Sequence, residues 1–585
     1  LRLMLRQFLI FSSSAQVALD GLIQRARSAT GLRHAIQQQG LAILVRSIED
    51  VLIVPGGRGY ILGTLFAKYG PARRIAPDDP PWIEPLAQSD PIGSLRDRCW
   101  GGYVALLADG GSFTMMRDPS GAMPCYIIPL SGGWAAASDI SLLVSAGLLK
   151  PTIAWDEIPR YLAAKDLPAA TTAIQHVREI LPGTCERLAD GRNSVTSFWS
   201  PWDHISPVER PGAAAMEERL KRTVDHCVAS WASTTGSALL TLSGGLDSSI
   251  VASALGTSKR PFSCVTISTG DGLGNERDYA HAMASAVGAS LIEEDYDLAD
   301  IDLSISTARH FPKPIGLIHE TAFHAAAMRV AGVAEADAIY TGSGGDNVFY
   351  NSNSLRPLLD CIRARGLGAD ALRTLYDIAG KLEISAWTVL WQAVRQYRQL
   401  KRPYAWQYNL QFMTREARQD IMSRPLSHPW LEEQDGARAG KVGHVAFLLR
   451  IQNHIEGYLR AFDMPLINPL ISQPIVELAL AIPGWHMVEG GRDRAVARKA
   501  YHDELPPIIR DRRRKGSPSS FAIALLRSKR KEVRDRLMDG ELVARGMVDA
   551  DTLAAALVSD SGLELSYMRL SALLDMEAWI EHWRG

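Results

Sequence analysis

Hydrophobic and polar positions change their period along this chain, and the changes mark its regions. Over residues 1 to about 205, short apolar runs are set off by glycine: Leu41–Val45, Val51–Val54, Tyr103–Leu107 and Tyr126–Ile128. Runs of this length bounded by turn residues predict strands. Arg117-Asp118-Pro119-Ser120-Gly121 predicts a turn. Trp134–Ser138, then Asp139-Ile140-Ser141-Leu142-Leu143, predicts a strand feeding a helix. The region reads as α+β, dominated by antiparallel strands. The polar, proline-bearing stretch Ser200–Pro207 predicts a linker. It divides a first domain, 1–205, from the remainder, 206–585.

Helical spacing takes over next, with Leu220, Val224, Val228 and Trp231 on one face. From about 237 the two periods alternate. Strands are predicted at 238–242, 261–268, 291–296 and 336–341, with helices after the glycine loop at 243–245, at 275–287 and at 317–330. Alternation at this spacing predicts a doubly wound parallel sheet. After Tyr350 the pattern is almost wholly helical. Two stretches interrupt it, the irregular Asp463–Leu470 and the basic run Arg512-Arg513-Arg514-Lys515-Gly516-Ser517-Pro518.

Chemistry is expected at the glycines. Leu239–Leu242 is an apolar strand, Ser243-Gly244-Gly245 a tight turn, and Asp247-Ser248-Ser249 suits a helix start. Such a junction aims backbone N–H groups and a helix dipole at an anion. No Lys follows the glycines, so this is not the usual P-loop. Asp247 would repel a bare phosphate, which suggests a divalent cation between the two. A second segment, Gly342-Ser343-Gly344-Gly345-Asp346, follows the fourth strand. Ligands of doubly wound sheets bind beyond the C-terminal strand ends, so Asp247 and Asp346 together predict a magnesium site. Asp346 alone fits a helix cap equally well.

Arg494 and Arg498, one helical turn apart, are candidates for holding pyrophosphate, or else form an exposed helix face. The run 512–515 is expected to be solvated for three of its charges. Lys515, before a glycine and a proline, could present one cation to an α-phosphorus. His310 and His319-Glu320 lie near the helix before the fourth strand, and a surface position is the leading reading for each.

Composition narrows the partners. A chain of 585 residues predicts two or three domains. Its 63 basic and 64 acidic residues give no field pointing to nucleic acid or a membrane surface. The six cysteines are scattered without a C-x-x-C pair, and the fourteen histidines lack metal-ligand spacing. No run reaches the length of a membrane span. The opening Leu1-Arg2-Leu3-Met4 is broken by arginine and has no cleavage site. A reduced, cytoplasmic location is expected.

The chain resembles asparagine synthetase and its relatives over nearly its whole length. Arg117–Gly121, Ala137–Ile140, Leu181-Pro182-Gly183-Thr184 and Phe198-Trp199 are similar to the glutamine-hydrolysing domain. Ser243–Ser249 and Thr341–Asp346 are similar to the ATP and magnesium segments. Pro465–Leu470 and Arg512–Phe521 are similar to two later synthetase motifs. The resemblance implies a degenerate glutaminase-like (Ntn-type) α+β domain, then an ATP pyrophosphatase domain. It implies ATP at Leu242, Ser243, Gly244, Gly245, Asp247, Ser248, Ile267, Thr341 and Gly342. It also implies magnesium on Asp247 and Asp346, and catalytic roles for Lys515, Asp247, Asp346 and Arg494. That family's glutaminase uses an N-terminal cysteine, whereas the first cysteine here is Cys99. Ser343 and Asn347 stand where the family carries acidic residues, which implies an acceptor other than ammonia.

Two branches with a dead glutaminase-like domain close rings: β-lactam synthetases and lasso peptide cyclases. The former place a tyrosine at the position of Ser343. Gly342–Phe349, Arg117–Tyr126, Leu62–Phe66 and Trp100–Val104 resemble the latter. Macrolactam formation on a lasso precursor core peptide is therefore expected, with a leader peptidase and a leader-binding protein as pathway partners. The alternatives are an ammonia-dependent asparagine synthetase or other small-molecule amide ligase, and a non-catalytic scaffold.

Overall fold

The computed structural model describes residues 6–13, 16–38, 40–88, 90–109, 112–188, 194–205, 213–269, 275–397, 404–432, 438–455, 463–513, 516 and 519–584. Twelve strands come first: β1 (Phe8–Ser13), β2 (Arg33–Gln38), β3 (Leu41–Val45), β4 (Val51–Val54), β5 (Gly59–Ala67), β6 (Cys99–Asp109), β7 (Ser112–Arg117), β8 (Tyr126–Leu130), β9 (Gly133–Ala137), β10 (Arg178–Glu179), β11 (Thr184–Leu188) and β12 (Ser194–Ser197). They form two antiparallel sheets, ordered β10-β8-β9-β1-β3-β2 and β12-β11-β7-β6-β5-β4.

Side-chain alternation stacks these sheets. Phe8 and Ile10 of β1 and Ile43 of β3 meet Leu62, Val104 and Leu106 of the facing sheet in one core. The intervening Leu9, Phe11 and Leu44 enter a second core that continues into the C-terminal helix Asp560–Arg584. Ile61, Tyr103 and Ala105, on the outer side of the other sheet, join a third core with the helix Ala213–Ala232. The central strands, such as β3 and β5, are buried along their length and read as continuous apolar runs, whereas the edge strands β2 and β12 are largely exposed.

Five parallel strands follow: β13 (Ala238–Thr241), β14 (Phe262–Ser268), β15 (Ser290–Asp295), β16 (Ala338–Tyr340) and β17 (Leu466–Ile467), in the order β15-β14-β13-β16-β17. The first four match the expected strands to within one or two residues. β17 belongs to the stretch read as irregular. Two residues carry no period, and β17 is a strand because Tyr340 of β16 pairs with Ile467.

From β13 the chain steps outward to β14 and β15, then returns to the other side of β13 for β16. The strand order therefore reverses between β13 and β16, the place where such sheets bind ligands. Both glycine segments lie there.

The two halves share cores and polar ties across residue 205. Trp231 packs edge-on to Phe66 and Trp100, at 5.0 and 6.1 Å between ring centroids. Lys313, buried, donates to Glu179 at 2.5 Å and to Asn453 at 2.9 Å. Arg117 donates to the other oxygen of Glu179 at 2.8 Å. Residues 206 and 207 of the expected linker lie outside the described residues, as do residues 1–5.

Candidate active site

The loop after β13 and the loop after β16 meet backbone to backbone. A Cβ on Gly342 would stand 2.5 Å from the Ser248 nitrogen, and one on Gly345 would stand 2.5 Å from the Asp247 carboxyl carbon. Only hydrogen fits at either place, so the glycines bring the two aspartates together. The turn is closed internally: the hydroxyls of Ser243 and Ser248 lie 3.2 Å apart, and Ser248 donates to the Gly245 carbonyl at 3.2 Å. Gly245 is the N-cap of the helix Leu246–Ser258, with Asp247 in its first turn.

Asp247 and Asp346 converge on one atom. Arg494 Nη1 donates to Asp247 Oδ2 and to Asp346 Oδ1, each at 2.6 Å. Asn351 Nδ2 donates to the same Asp346 oxygen at 2.9 Å. Arg494 sits in the left-handed region, at φ 51°, before the short helix Ala495–Ala500. Its Nε donates to Asp493 at 2.7 Å. Burial alone would lower the Arg494 pKa, but the carboxylates of Asp247, Asp346 and Asp493 outweigh it and raise the value. Arg498 donates to Asp493 at 2.9 Å, and burial leaves its pKa lowered.

Asp346, Asn351, Asp493, Arg494 and Arg498 line a cleft of about 260 Å³, together with Leu246, Lys381, Arg512 and Arg513. Lys381 donates to the Ser352 carbonyl at 2.7 Å. Burial pushes its ammonium down to about 8, with Asp493 and Asp346 opposing the shift and Arg494 adding to it.

The expected site residues divide by depth. Gly245, Asp346, Arg494 and Arg498 line the cleft. Asp247 is held to it through Arg494. Leu242 is buried, with its backbone N–H on the Val265 carbonyl at 2.8 Å. Ile267 packs against the core behind the sheet. Thr341 donates to Asn468 Oδ1 at 2.5 Å and accepts from the Ser343 N–H at 2.9 Å. Lys515, Arg514, Ser517 and Pro518 lie outside the described residues.

Two expectations are corrected. Arg512 is not solvated. It donates to the Gly244 carbonyl at 3.2 Å and to Glu276 at 2.5 Å, and lies over the Tyr279 ring at 4.0 Å. Glu276 also accepts the Gly516 N–H at 3.0 Å, which ties the basic loop to the glycine turn. His310 and His319 are buried rather than on the surface. His319 Nδ1 is 2.6 Å from the Ser571 hydroxyl, and burial lowers its pKa to about 4. The helix expected to start at Leu317 starts at Glu320, and neither histidine lines the cleft.

Lys381, Asp493, Asn351 and Glu276 escaped the sequence reading. Asp493 alone carried a trace, in the charged triplet Arg492-Asp493-Arg494.

Among the described residues no group of three or more His, Cys, Asp and Glu could hold a metal by itself. The two-carboxylate arrangement suits a magnesium ion that takes its other ligands from phosphate and water. Arg494 Nη1 lies between these two carboxylates in this structure. No helix among the described residues is long and apolar enough to cross a membrane.

Two solved structures share limited likeness. One is titled as the allosteric regulatory enzyme of purine biosynthesis: 11% identity over 50% of this chain and 75% of that one, TM-score 0.21. The other is glutamine phosphoribosylpyrophosphate amidotransferase from B. subtilis complexed with ADP and GMP: 10% identity over 50% and 81%, TM-score 0.21. Likeness at this level decides nothing about the fold. A search of curated proteins finds no match. The asparagine synthase family matches residues 219–583, more than half of the chain and all of the cleft. The chain belongs to the asparagine synthase family and is an ATP-dependent carbon–nitrogen ligase of the asparagine synthetase type.

Proposed function

We propose that this ligase closes a macrolactam ring on a lasso peptide precursor. The observation that carries the ATP chemistry is the convergence of Asp247 and Asp346 on a single cationic atom at the sheet's switch point. The peptide reading rests on Gly342–Phe349, with Ser343 and Asn347 in place of acidic residues, and on the lasso-cyclase-like stretches of the N-terminal half.

In this reading the phosphates lie over the turn Ser243–Ser248, against the N-terminus of the helix Leu246–Ser258. Asp247 and Asp346 would hold magnesium, which neutralises phosphate charge when bound. An Asp or Glu side-chain oxygen of the peptide attacks the α-phosphorus. The bond from that phosphorus to the bridging oxygen breaks, and pyrophosphate leaves. Arg494 and Arg498 hold the departing pyrophosphate, and Lys515 offsets charge at the α-phosphorus. The peptide's own amino terminus then attacks the acyl carbon. The carbon–oxygen bond to AMP breaks, the amine releases a proton, and an isopeptide bond remains.

Holding both ends in one cleft makes the second step intramolecular, which supplies up to about 7–11 kcal/mol. The helical part beyond Tyr350 forms the chamber that excludes water from the adenylate. The N-terminal half, glutaminase-like by sequence, docks the leader peptidase or the peptide.

Mass spectrometry of a leader-free core peptide incubated with the protein, its peptidase partner and Mg-ATP tests the reading. Loss of one water, with AMP formed and both abolished in Asp247→Ala, is expected. AMP formed from free aspartate and ammonia, with no peptide dehydration, would move the assignment to a small-molecule synthetase.

A further inference from the structure

The helices Ala369–Leu382 and Ala386–Tyr397 each bury one face and expose large apolar side chains on the other. Their inner faces are accounted for: Ile378, Ala379, Val389 and Ala393 fill a core with Trp485 and Leu358. Their outer faces carry large apolar side chains, with Arg373 and Arg395 among them and Arg395 over the Trp391 ring at 5.7 Å. Leu372 and Tyr376 on the first helix, and Trp387, Trp391, Val394 and Tyr397 on the second, are all exposed, Trp387 at 77% and Trp391 at 63%. The positions 387, 391 and 394 recur at helical spacing, so they form one stripe. A clustered aromatic face of this kind marks a binding surface rather than scattered surface apolarity.

Position says what it binds. Leu372, Tyr376 and Gly380 follow one another at intervals of four residues along a single side of the helix, and Glu383 caps its C-terminal end. Gly380 and Glu383 line the catalytic cleft. The apolar stripe therefore ends at the cleft, roughly 12 Å from Leu372 to Gly380 at 1.5 Å per residue. Whatever lies on it also reaches the reacting centre. On the macrolactam reading, the amino terminus and the acceptor carboxylate both occupy the cleft. The segment that follows the acceptor must leave it, and this stripe is the way out lined with aromatic rings.

We infer that the exposed face of helices 369–382 and 386–397 binds the apolar or aromatic segment of a peptide substrate C-terminal to its acceptor carboxylate. The inference rests on the macrolactam reading for the identity of the substrate.

Two synthetic peptides test it. Both carry a free amino terminus and one internal Asp; one ends in a Trp-, Leu- and Phe-rich tail, the other in a Ser- and Asn-rich tail. Fluorescence anisotropy gives their affinities for the wild type and for the double variant Trp387→Ser/Trp391→Ser. These side chains are exposed, so the variant is expected to keep its melting temperature. The apolar-tailed peptide is expected to bind the wild type at least about tenfold more tightly than the polar one, and the double variant is expected to erase that difference. Equal binding of both peptides, or a preference unchanged by the variant, overturns the inference. So does a dimer that the variant dissolves, seen by light scattering, with peptide affinity unmoved, because the face would then belong to a second copy. Failure of the macrolactam reading is read separately, as no loss of water from bound peptide when Mg-ATP is added.

Discussion

The antiparallel half and the parallel half use the same charged residue types to opposite ends. In the first, Arg117 is buried and spends its guanidinium on its own chain: Met123 O at 2.7 Å, Glu179 at 2.8 Å, and the Gly121 and Ile180 carbonyls at 2.9 Å. Asp118 is likewise enclosed, accepting from Gly121 N at 2.9 Å and Tyr103 N at 3.2 Å. Burial pushes the thiols of Cys99 and Cys125 up to about 12, which leaves them poor nucleophiles. In the second half, Asp346 keeps part of its surface open and faces a cleft. Topology accounts for the contrast. Antiparallel strands return through tight turns that seal their ends, whereas parallel strands deliver all their C-terminal ends to one side. Charge placed in the first half holds turns and joins halves. Charge placed at strand ends of the second can meet a substrate.

The sharpest way to break this comparison is Asp247→Ala, which should cut AMP formation by about 10³-fold, or about 4 kcal/mol, with the protein still folded. Steady-state AMP release alongside calorimetry would check it, and retained turnover would remove the strand-end aspartates from the chemistry.

Lys313→Met tests the opposite role. It strips one cation from buried Glu179 and should cost about 3 kcal/mol of stability, read by urea denaturation, with kcat nearly intact in the folded fraction. The sign with pH follows from Glu179. Burial pushes its carboxyl up, but Lys313 and Arg117 outweigh burial and hold it below its ordinary value. Its contribution is therefore fully present above the ordinary carboxylate range. It is lost only as pH falls below that range, through the depressed folded value.

Arg494→Gln should leave two facing carboxylates and lower stability by about 2 kcal/mol. Millimolar magnesium should restore part of that loss, because a cation bound only by the folded state stabilises it. Thermal melts with and without magnesium decide this, and a loss that magnesium leaves untouched would separate the two aspartates.

Glu276→Gln is the mildest. Loosening Arg512 and Gly516 from the glycine turn should slow AMP formation about tenfold, close to 1.4 kcal/mol. An unaltered rate would mean that the basic loop is positioned without Glu276.

Much of the fold was legible because period and burial agree. β3 and β4 begin and end where the apolar runs Leu41–Val45 and Val51–Val54 do, and β13 to β16 fall on the four expected strands. The two glycine segments also announced themselves, since a strand followed by glycine and then Asp-Ser is a local pattern. β17 was not legible, because two residues have no period and its pairing with β16 spans more than a hundred residues of chain. Arg512 illustrates the same limit: a run of four cations reads as solvent-facing until Glu276 and Tyr279 arrive from elsewhere.

By itself, then, the sequence determined the alternation of strand and helix, the two glycine turns, and the aspartate that follows each. These are local consequences of side-chain size, periodicity and backbone freedom. Only the tertiary structure decided that Arg494 lies between those aspartates, that Lys381 borders the cleft, and that His319 turns to Ser571 instead. Each of those contacts joins residues at least 29 positions apart. Their partners are chosen by packing, which no short window of sequence contains.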